Sequence, residues 1–539
     1  MDIFRPTNIT IWENFHFTTK TIIKDLFTVR NPRGRKKIDQ YNEMTTLLQG
    51  FITRRQYSNE PFKPFGSGWS WTGVNTSEGG VMLDTSSNKN KGLNLIMDLE
   101  PGSVSNQYTG DPKFLVMCQC GAGVRKLNKY LEGTKRSLKT SGASDGQTIV
   151  GAMSTGTHGS NPIEGAIHNY VVGMHIITGP GVADQCWVER KSYPVVSSAF
   201  LNSLNLSLAQ LKQDDDLFNS ALVNIGGLGV LHAVLLETVE IYQLRLIRQK
   251  FPYDDKLVKL MTTLDAQAFG FPDYQGEPLS HLQVVFNPYK FDVTNKTGEA
   301  IVTYGYKLPS YSSLSGKKSS WFQKLLMMLG FKYYKFKNFI SRLISDLSND
   351  LVRFLAKLDD TMPELIPDTV EAVLKLSYKT GVQQGVLGDL FTGEGPPSAL
   401  AGSTMFVGVN DIEKVLEIFQ RRTPKASPEF SGIYSLRFVK SSSATLGGNY
   451  FGNVTCAIEA DGILNDRTKR YYANIWNDLR TQNIPFRFHL GKLNDLDQQK
   501  FSAMYGPSKT VWLNSQNALL NPSMKSLLMN DTLRGWGLV

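Results

Sequence analysis

Apolar residues follow two rhythms along the chain. In the first half they come in short dense runs broken by glycine. Residues 95–99 and 114–120 predict strands, and Gly121-Ala-Gly123 predicts the turn that follows. Val124, Leu127, Tyr130 and Leu131 then recur at helical spacing, with Gly133 as the stop. Residues 171–177 predict another strand. A helix over 217–224 leads through Gly226-Gly-Leu-Gly229 into the apolar run 230–241. The rhythm changes near Leu244. From there to about Ala460 the connections lengthen and glycine clusters thin out. Strands are predicted over 283–286, 403–409, 434–439 and 454–459, and a short helix over 411–420 with Asp411 as its cap. A further helix over 471–479 precedes residues 486–492. This mixture predicts an α+β protein with breaks near 244 and 460.

Composition agrees with a folded chain. Of 539 residues, 41% are hydrophobic and 20% charged, which excludes a disordered or fibrous protein, and the length exceeds what one core supports. The net charge of +10 favours anionic partners, but no basic run stands alone as a tail. Cys118, Cys120, Cys186 and Cys456 form neither a disulfide framework nor a metal pair. Buried thiols, no metal site and a reducing compartment are expected. The N-terminus has no apolar signal region, and no stretch reaches 18 uninterrupted apolar residues, so the expectation is a cytoplasmic protein. One segment qualifies this. Between Lys317 and Arg342 there are seven basic residues and no acidic one, interleaved with aromatics. Residues 317–358 therefore suit either a peripheral membrane contact or helices packed over a pocket.

Two loops carry candidate chemistry: Gly66-Ser67-Gly68-Trp69-Ser70 and Thr155-Gly-Thr157-His158-Gly159-Ser160. Glycine admits positive φ and close approach of a ligand, and successive N–H groups make a concavity for anionic oxygen. Two such loops can flank a diphosphate. Neither is a doubly wound dinucleotide fingerprint, and no Walker-type phosphate loop occurs.

The order of these motifs resembles the vanillyl-alcohol-oxidase type of FAD-binding oxidoreductase, in its branch of sugar-lactone, alditol and flavin-linked sterol oxidases. The resemblance rests on the first loop, Gly121-Ala-Gly123, Gln147-Thr148 with Gly151-Ala152, residues 155–160, Gly226–Gly229 and His489-Leu-Gly-Lys492. It implies a two-subdomain FAD-binding domain over 1–243, a second α+β substrate (cap) domain over 244–460, and a segment 461–539 returning to the first. It further implies that Gly66, Ser67, Gly68 and Ser70 contact the pyrophosphate, with Trp69 also at the cofactor. Gly142, Ser144, Gly151, Ser154, Thr157, His158 and Gly159 would surround the flavin, and Gly229 and Val230 the adenine end.

Two positions depart from that pattern. Trp69 stands where many relatives carry a flavin-linking histidine, so non-covalent FAD is expected. Ser435 replaces the glutamate of a Glu-x-Arg pair and leaves Arg437. The candidate catalytic residues are Arg437, Lys492 and His489: a fixed charge, a lysine either charged or lowered to act as base, and a base for the substrate hydroxyl. Glu459 and Asp461 share a strand face and are expected at a solvated strand end, with a pocket carboxylate as the other reading. The function implied is oxidation of an alcohol carbon by hydride transfer to FAD, with O2 as acceptor. A dehydrogenase serving a quinone or protein, and a basic binding module without flavin, are the alternatives. The partner expected is a small-molecule substrate and not nucleic acid.

Overall fold

The computed structural model describes residues 3–34, 36–86, 92–272, 276–308, 359, 361–392 and 400–539. The segment 317–358 lies outside the described residues. Helices and sheets are mixed throughout, so the fold is α+β.

Three sheets organise the chain. The first has four strands, with Val81–Asp84 parallel to both Phe62–Phe65 and Asp25–Val29. The second has six, in which Val171–Ile177, Val230–Glu237 and Leu115–Gln119 are neighbours and antiparallel. Every residue of Val171–Ile177 and of Leu115–Gln119 is buried, because helices and sheet cover both faces. The third is an eight-stranded antiparallel sheet. Its edge strand is Gly381–Gly385, next to Leu244–Pro252, where the apolar rhythm changed, and it continues through Thr297–Lys307, Leu279–Asp292, Gly432–Lys440, Val454–Ile463 and Leu400–Gly408 to Phe486–Phe488.

One apolar core joins the first two sheets to both ends of the chain. Met44, Leu48, Phe51 and Ile52 of the helix Lys37–Tyr57 enter it, as do Trp512, Met524, Leu527, Leu533 and Trp536 from helices after residue 498. A separate core under the eight-stranded sheet is filled by Leu282, Val284, Phe286, Leu436, Phe438 and Ile458. These side chains alternate with residues on the opposite face, which looks toward the first two sheets. Residue Ser160 fixes that approach. Its hydroxyl donates to the Leu282 carbonyl and accepts the Phe438 N–H at 3.0 Å, so the second glycine loop is pinned between two central strands. The four cysteines are free and buried, as their spacing predicted. No helix among the described residues is long and apolar enough to cross a membrane.

Candidate functional site

A single cavity is lined by both glycine loops, by the turn Ile225-Gly226, and by Arg437, Glu459, Asp461, His489 and Lys492. Its wall therefore draws on all three sheets. The backbone explains the glycines. Gly68, Gly156, Gly226 and Gly229 have φ of +69°, +80°, +71° and +101°, a region that side-chain-bearing residues rarely adopt. Gly66 answers to a different constraint. A Cβ there would lie 2.0 Å from Thr148 Oγ1, so the first loop and the start of the helix Ile149–Ser154 approach to a distance only glycine permits.

The loop after Gly66 is stitched to the C-terminal motif. Trp71 N–H donates to the Gly491 carbonyl at 2.8 Å, and Thr72 Oγ1 donates to the Leu490 carbonyl at 2.8 Å. These bonds bring Lys492 and His489 to the cavity from more than 400 residues away. Trp69 stacks on Phe15, with ring centroids 4.6 Å apart.

The charged groups form one cluster. Glu459, 1% exposed, receives Lys492 Nζ at 2.8 Å on Oε1 and faces Arg437 Nε at 2.9 Å through Oε2. The Arg437 contact is not aligned as a hydrogen bond, so it is a charge contact. Lys492 also reaches Asp461 at 3.1 Å. Burial raises the cost of ionising Glu459, but Arg437 and Lys492 overcome it and hold the carboxyl well below its usual range. Burial and the Glu459 charge push Asp461 up. Burial lowers Lys492, yet Asp461 and Glu459 more than offset it and keep the ammonium above the ordinary lysine value. Two expectations change here. Glu459 is not at a solvated strand end. Lys492 is not a lysine lowered to serve as base, because two carboxylates fix its charge.

The two histidines are set by backbone. His158 Nδ1 bonds the Gly159 carbonyl at 2.9 Å, which requires the proton on Nδ1 and leaves the Nε2 lone pair, 4.0 Å from Glu459 Oε1. Burial lowers it to about 4, so the ring is neutral. His489 is the reverse: Nδ1 accepts the Gly491 N–H at 3.1 Å, so Nε2 carries the proton. Burial, His158 and Lys492 hold it well below the usual imidazole value.

Of the residues expected at a cofactor, Gly66, Ser67, Gly68, Trp69, Ser70, Ser144, Gly151, Ser154, Thr157, His158 and Gly229 line this cavity. Gly142, Gly159 and Val230 do not. Gly142 and Gly159 instead admit close packing, of Thr157 and of the Ser141 carbonyl, and Val230 is buried in the apolar core. Sequence reading missed His16, Lys63 and Asn224. Lys63 is 2% exposed and donates to the carbonyls of Gly226 at 2.8 Å and Leu528 at 3.0 Å. Burial lowers it to about 7. A lone lysine in the strand before a glycine loop was the available signal. His16 packs on Trp71 at 4.4 Å and has a buried Nδ1 without a partner, and nothing local marks it.

The sequence profile of the family described as FAD binding domain matches residues 54–184. The chain carries an FAD-binding domain. Relatives of this FAD-binding chain include an L-gulono-1,4-lactone dehydrogenase of Mycobacterium tuberculosis, 26% identical over 229 residues, which are 42% of this chain and 44% of that protein. A D-arabinono-1,4-lactone oxidase of Debaryomyces hansenii is 24% identical over 157 residues, 29% of this chain and 24% of its own length. A putative D-arabinono-1,4-lactone oxidase of Neurospora crassa is 28% identical over 130 residues, 24% of this chain and 19% of that protein. The matched stretch thus covers less than half of each relative. The geometry is of a kind that suits the cofactor: positive-φ glycines, a close approach at Gly66 that a Cβ would disturb, and cations in the lining of the cavity.

Proposed function

We propose that the chain is an FAD-dependent oxidoreductase that oxidises a hydroxyl-bearing carbon. The observation that carries this reading is the convergence of two glycine loops and the Arg437–Glu459–Lys492 cluster on one cavity. Bound FAD supplies the hydride acceptor.

The residues of the chain divide the remaining work. Arg437 and Lys492 hold permanent positive charge in a site where burial strengthens electrostatics, suited to negative charge developing on the reduced ring or on a substrate oxygen. Glu459 is their internal counter-ion and keeps both side chains in place. The His158 Nε2 lone pair receives the hydroxyl proton, and the resulting imidazolium lies opposite the Glu459 carboxylate. His489, protonated at Nε2, acts as a hydrogen-bond donor and not as the base. Ser435 pairs directly with Glu459 across the strands, so the carboxylate missing from position 435 is supplied from the neighbouring strand. Trp69 is stacked and offers no nucleophile, and burial pushes the Cys120 thiol in the cavity wall up to about 12, which keeps it inert. These features support a dissociable flavin.

The test is a visible spectrum of the purified protein, followed by anaerobic titration with aldono-1,4-lactones, alditols and hydroxy acids. Flavin absorbance that bleaches with one of them is expected. A protein that neither carries nor takes up FAD, or a bound flavin reduced by photochemistry but by no hydroxylated compound, overturns the reading.

A further inference from the structure

A second cavity adjoins the first and shares Ala143 and Arg437 with it. Its walls are Gly159 and Ser160 on one side and the inner face of the eight-stranded sheet on the other. Strand register explains its chemistry. Arg248 pairs with Thr303, Thr303 with Gln283, and Gln283 with Arg437. Directly paired residues share a face, so these four side chains form one polar row across four adjacent strands. At about 4.8 Å per strand the row spans roughly 14 Å between the Arg248 and Arg437 backbones. An aliphatic sheet face would bury more apolar area against the FAD-binding domain, and this one carries two guanidinium groups.

The two arginines differ in how their charges are met. Arg437 faces the Glu459 carboxylate. Arg248 has no carboxylate within ion-pair distance among the described residues. Its Nε donates to Thr303 Oγ1 at 2.9 Å, and its guanidinium lies 5.1 Å from the centre of the Tyr378 ring. Thr303 orients it and the ring covers one face, leaving the terminal nitrogens without a hydrogen bond among the described residues. His281 beside it is 7% exposed, and burial with both arginines keeps it neutral, so it does not compensate the charge. Gln283 is already engaged, donating to Ser435 Oγ at 2.9 Å. Guanidinium forks match planar carboxylates.

We propose that this second cavity is the substrate's carboxylate subsite, with Arg248 as its anchor, so that the compound oxidised is a hydroxy acid and not a neutral lactone or polyol. The inference rests on the oxidoreductase reading above and adds its substrate class. The charged end would lie at Arg248 and the reacting carbon near Arg437 and Lys492, several bonds away. Arg248 is then a specificity residue that touches substrate remote from the reacting atoms.

The experiment uses the full chain loaded with FAD. D-glycerate and D-gluconate are titrated against glycerol and D-glucitol, matched in carbon number, with the shift of the flavin absorbance bands as readout. At least one acid is expected to perturb the spectrum at a concentration on the order of tenfold or more below its polyol. The gap should vanish in Arg248→Met and persist in part in Arg248→Lys. Unfolding midpoints and FAD retention of both variants check that the fold survives. Should Arg248→Met fail to fold, the wild-type comparison and Arg248→Lys decide. Equal affinities, preference for the polyol, no perturbation by any of the four compounds, or an unchanged gap in Arg248→Met would overturn the subsite. A chain that binds no FAD removes the oxidoreductase reading itself, whereas a flavin-loaded chain indifferent to charge removes only the subsite.

Discussion

Replacing Glu459 by Gln removes one negative charge and keeps the shape of the side chain. Arg437 and Lys492, whose side chains are 15% and 12% exposed, would then face each other across an uncharged amide. Taking one partner out of a buried ion pair costs about 3–5 kcal/mol, because the other charge is left without compensation. The amide oxygen still accepts from Lys492, so a loss near 3 kcal/mol is expected at pH 7. The pH dependence gives a second handle. The folded Glu459 carboxyl sits below its unfolded value of about 4.3, so its stabilisation is present above that pH and is lost as pH falls toward the folded value. The gap between wild type and variant should therefore narrow below about pH 4, by up to about 1.4 kcal/mol per pH unit. Urea unfolding followed by tryptophan fluorescence at pH 7, 4 and 3 measures both, and Lys492→Met with the double variant measures the coupling. A gap under about 0.5 kcal/mol at pH 7, a gap that is constant into acid, or additive single changes would refute the view of Glu459 as a buried counter-ion.

Three further outcomes follow from the geometry. Gly66→Ala places a methyl 2.0 Å from Thr148 Oγ1, and FAD affinity should fall on the order of tenfold or more, with partial recovery in Gly66→Ala/Thr148→Ala; equilibrium dialysis against FAD reads this. Acid precipitation should leave a white pellet and a yellow supernatant, since Trp69 provides no attachment point; a yellow pellet would direct attention to His16. The amine of Lys63 is lowered to about 7 in the fold, so the unfolded chain binds the extra proton and stability should rise between pH 7 and 10. In Lys63→Met the urea midpoint should be flatter over that range.

How far the sequence could be read depended on what each residue answers to. The glycine loops were legible because positive φ is a local demand and glycine meets it locally. Strands 171–177 and 230–237 were legible because both faces are buried and most positions are apolar. Glu459 was not, because its burial depends on Arg437 in the adjacent strand and Lys492, 33 residues on, meeting it in space. Ser435 read as the loss of a carboxylate for the same reason: the pairing Ser435–Glu459 is a fact of register. The tautomers of His158 and His489 are fixed by carbonyl and amide partners that no residue pattern shows. Asp411 was expected to cap its helix; it sits at the N-cap of Ile412–Arg421 but its side chain makes no capping bond. The row Arg248–Thr303–Gln283–Arg437 is spread over 190 residues and becomes one feature only when four strands align.

The helices after residue 498 have a consequence for how the protein is made. Trp512 packs within reach of Gly227, Leu528 takes a hydrogen bond from Lys63, and Asn530 donates to the carbonyls of Gly73, Val74 and Thr76 just after the first glycine loop. The stretch that matches the FAD-binding family ends at residue 184. At ribosomal rates of about 5–20 residues per second, that stretch waits tens of seconds for the residues that complete its core. During that interval its apolar helix faces and unpaired strands are exposed to chaperones and to other nascent chains. A ribosome stalled late in the message should thus release a chain that holds both glycine loops and is still unable to keep FAD.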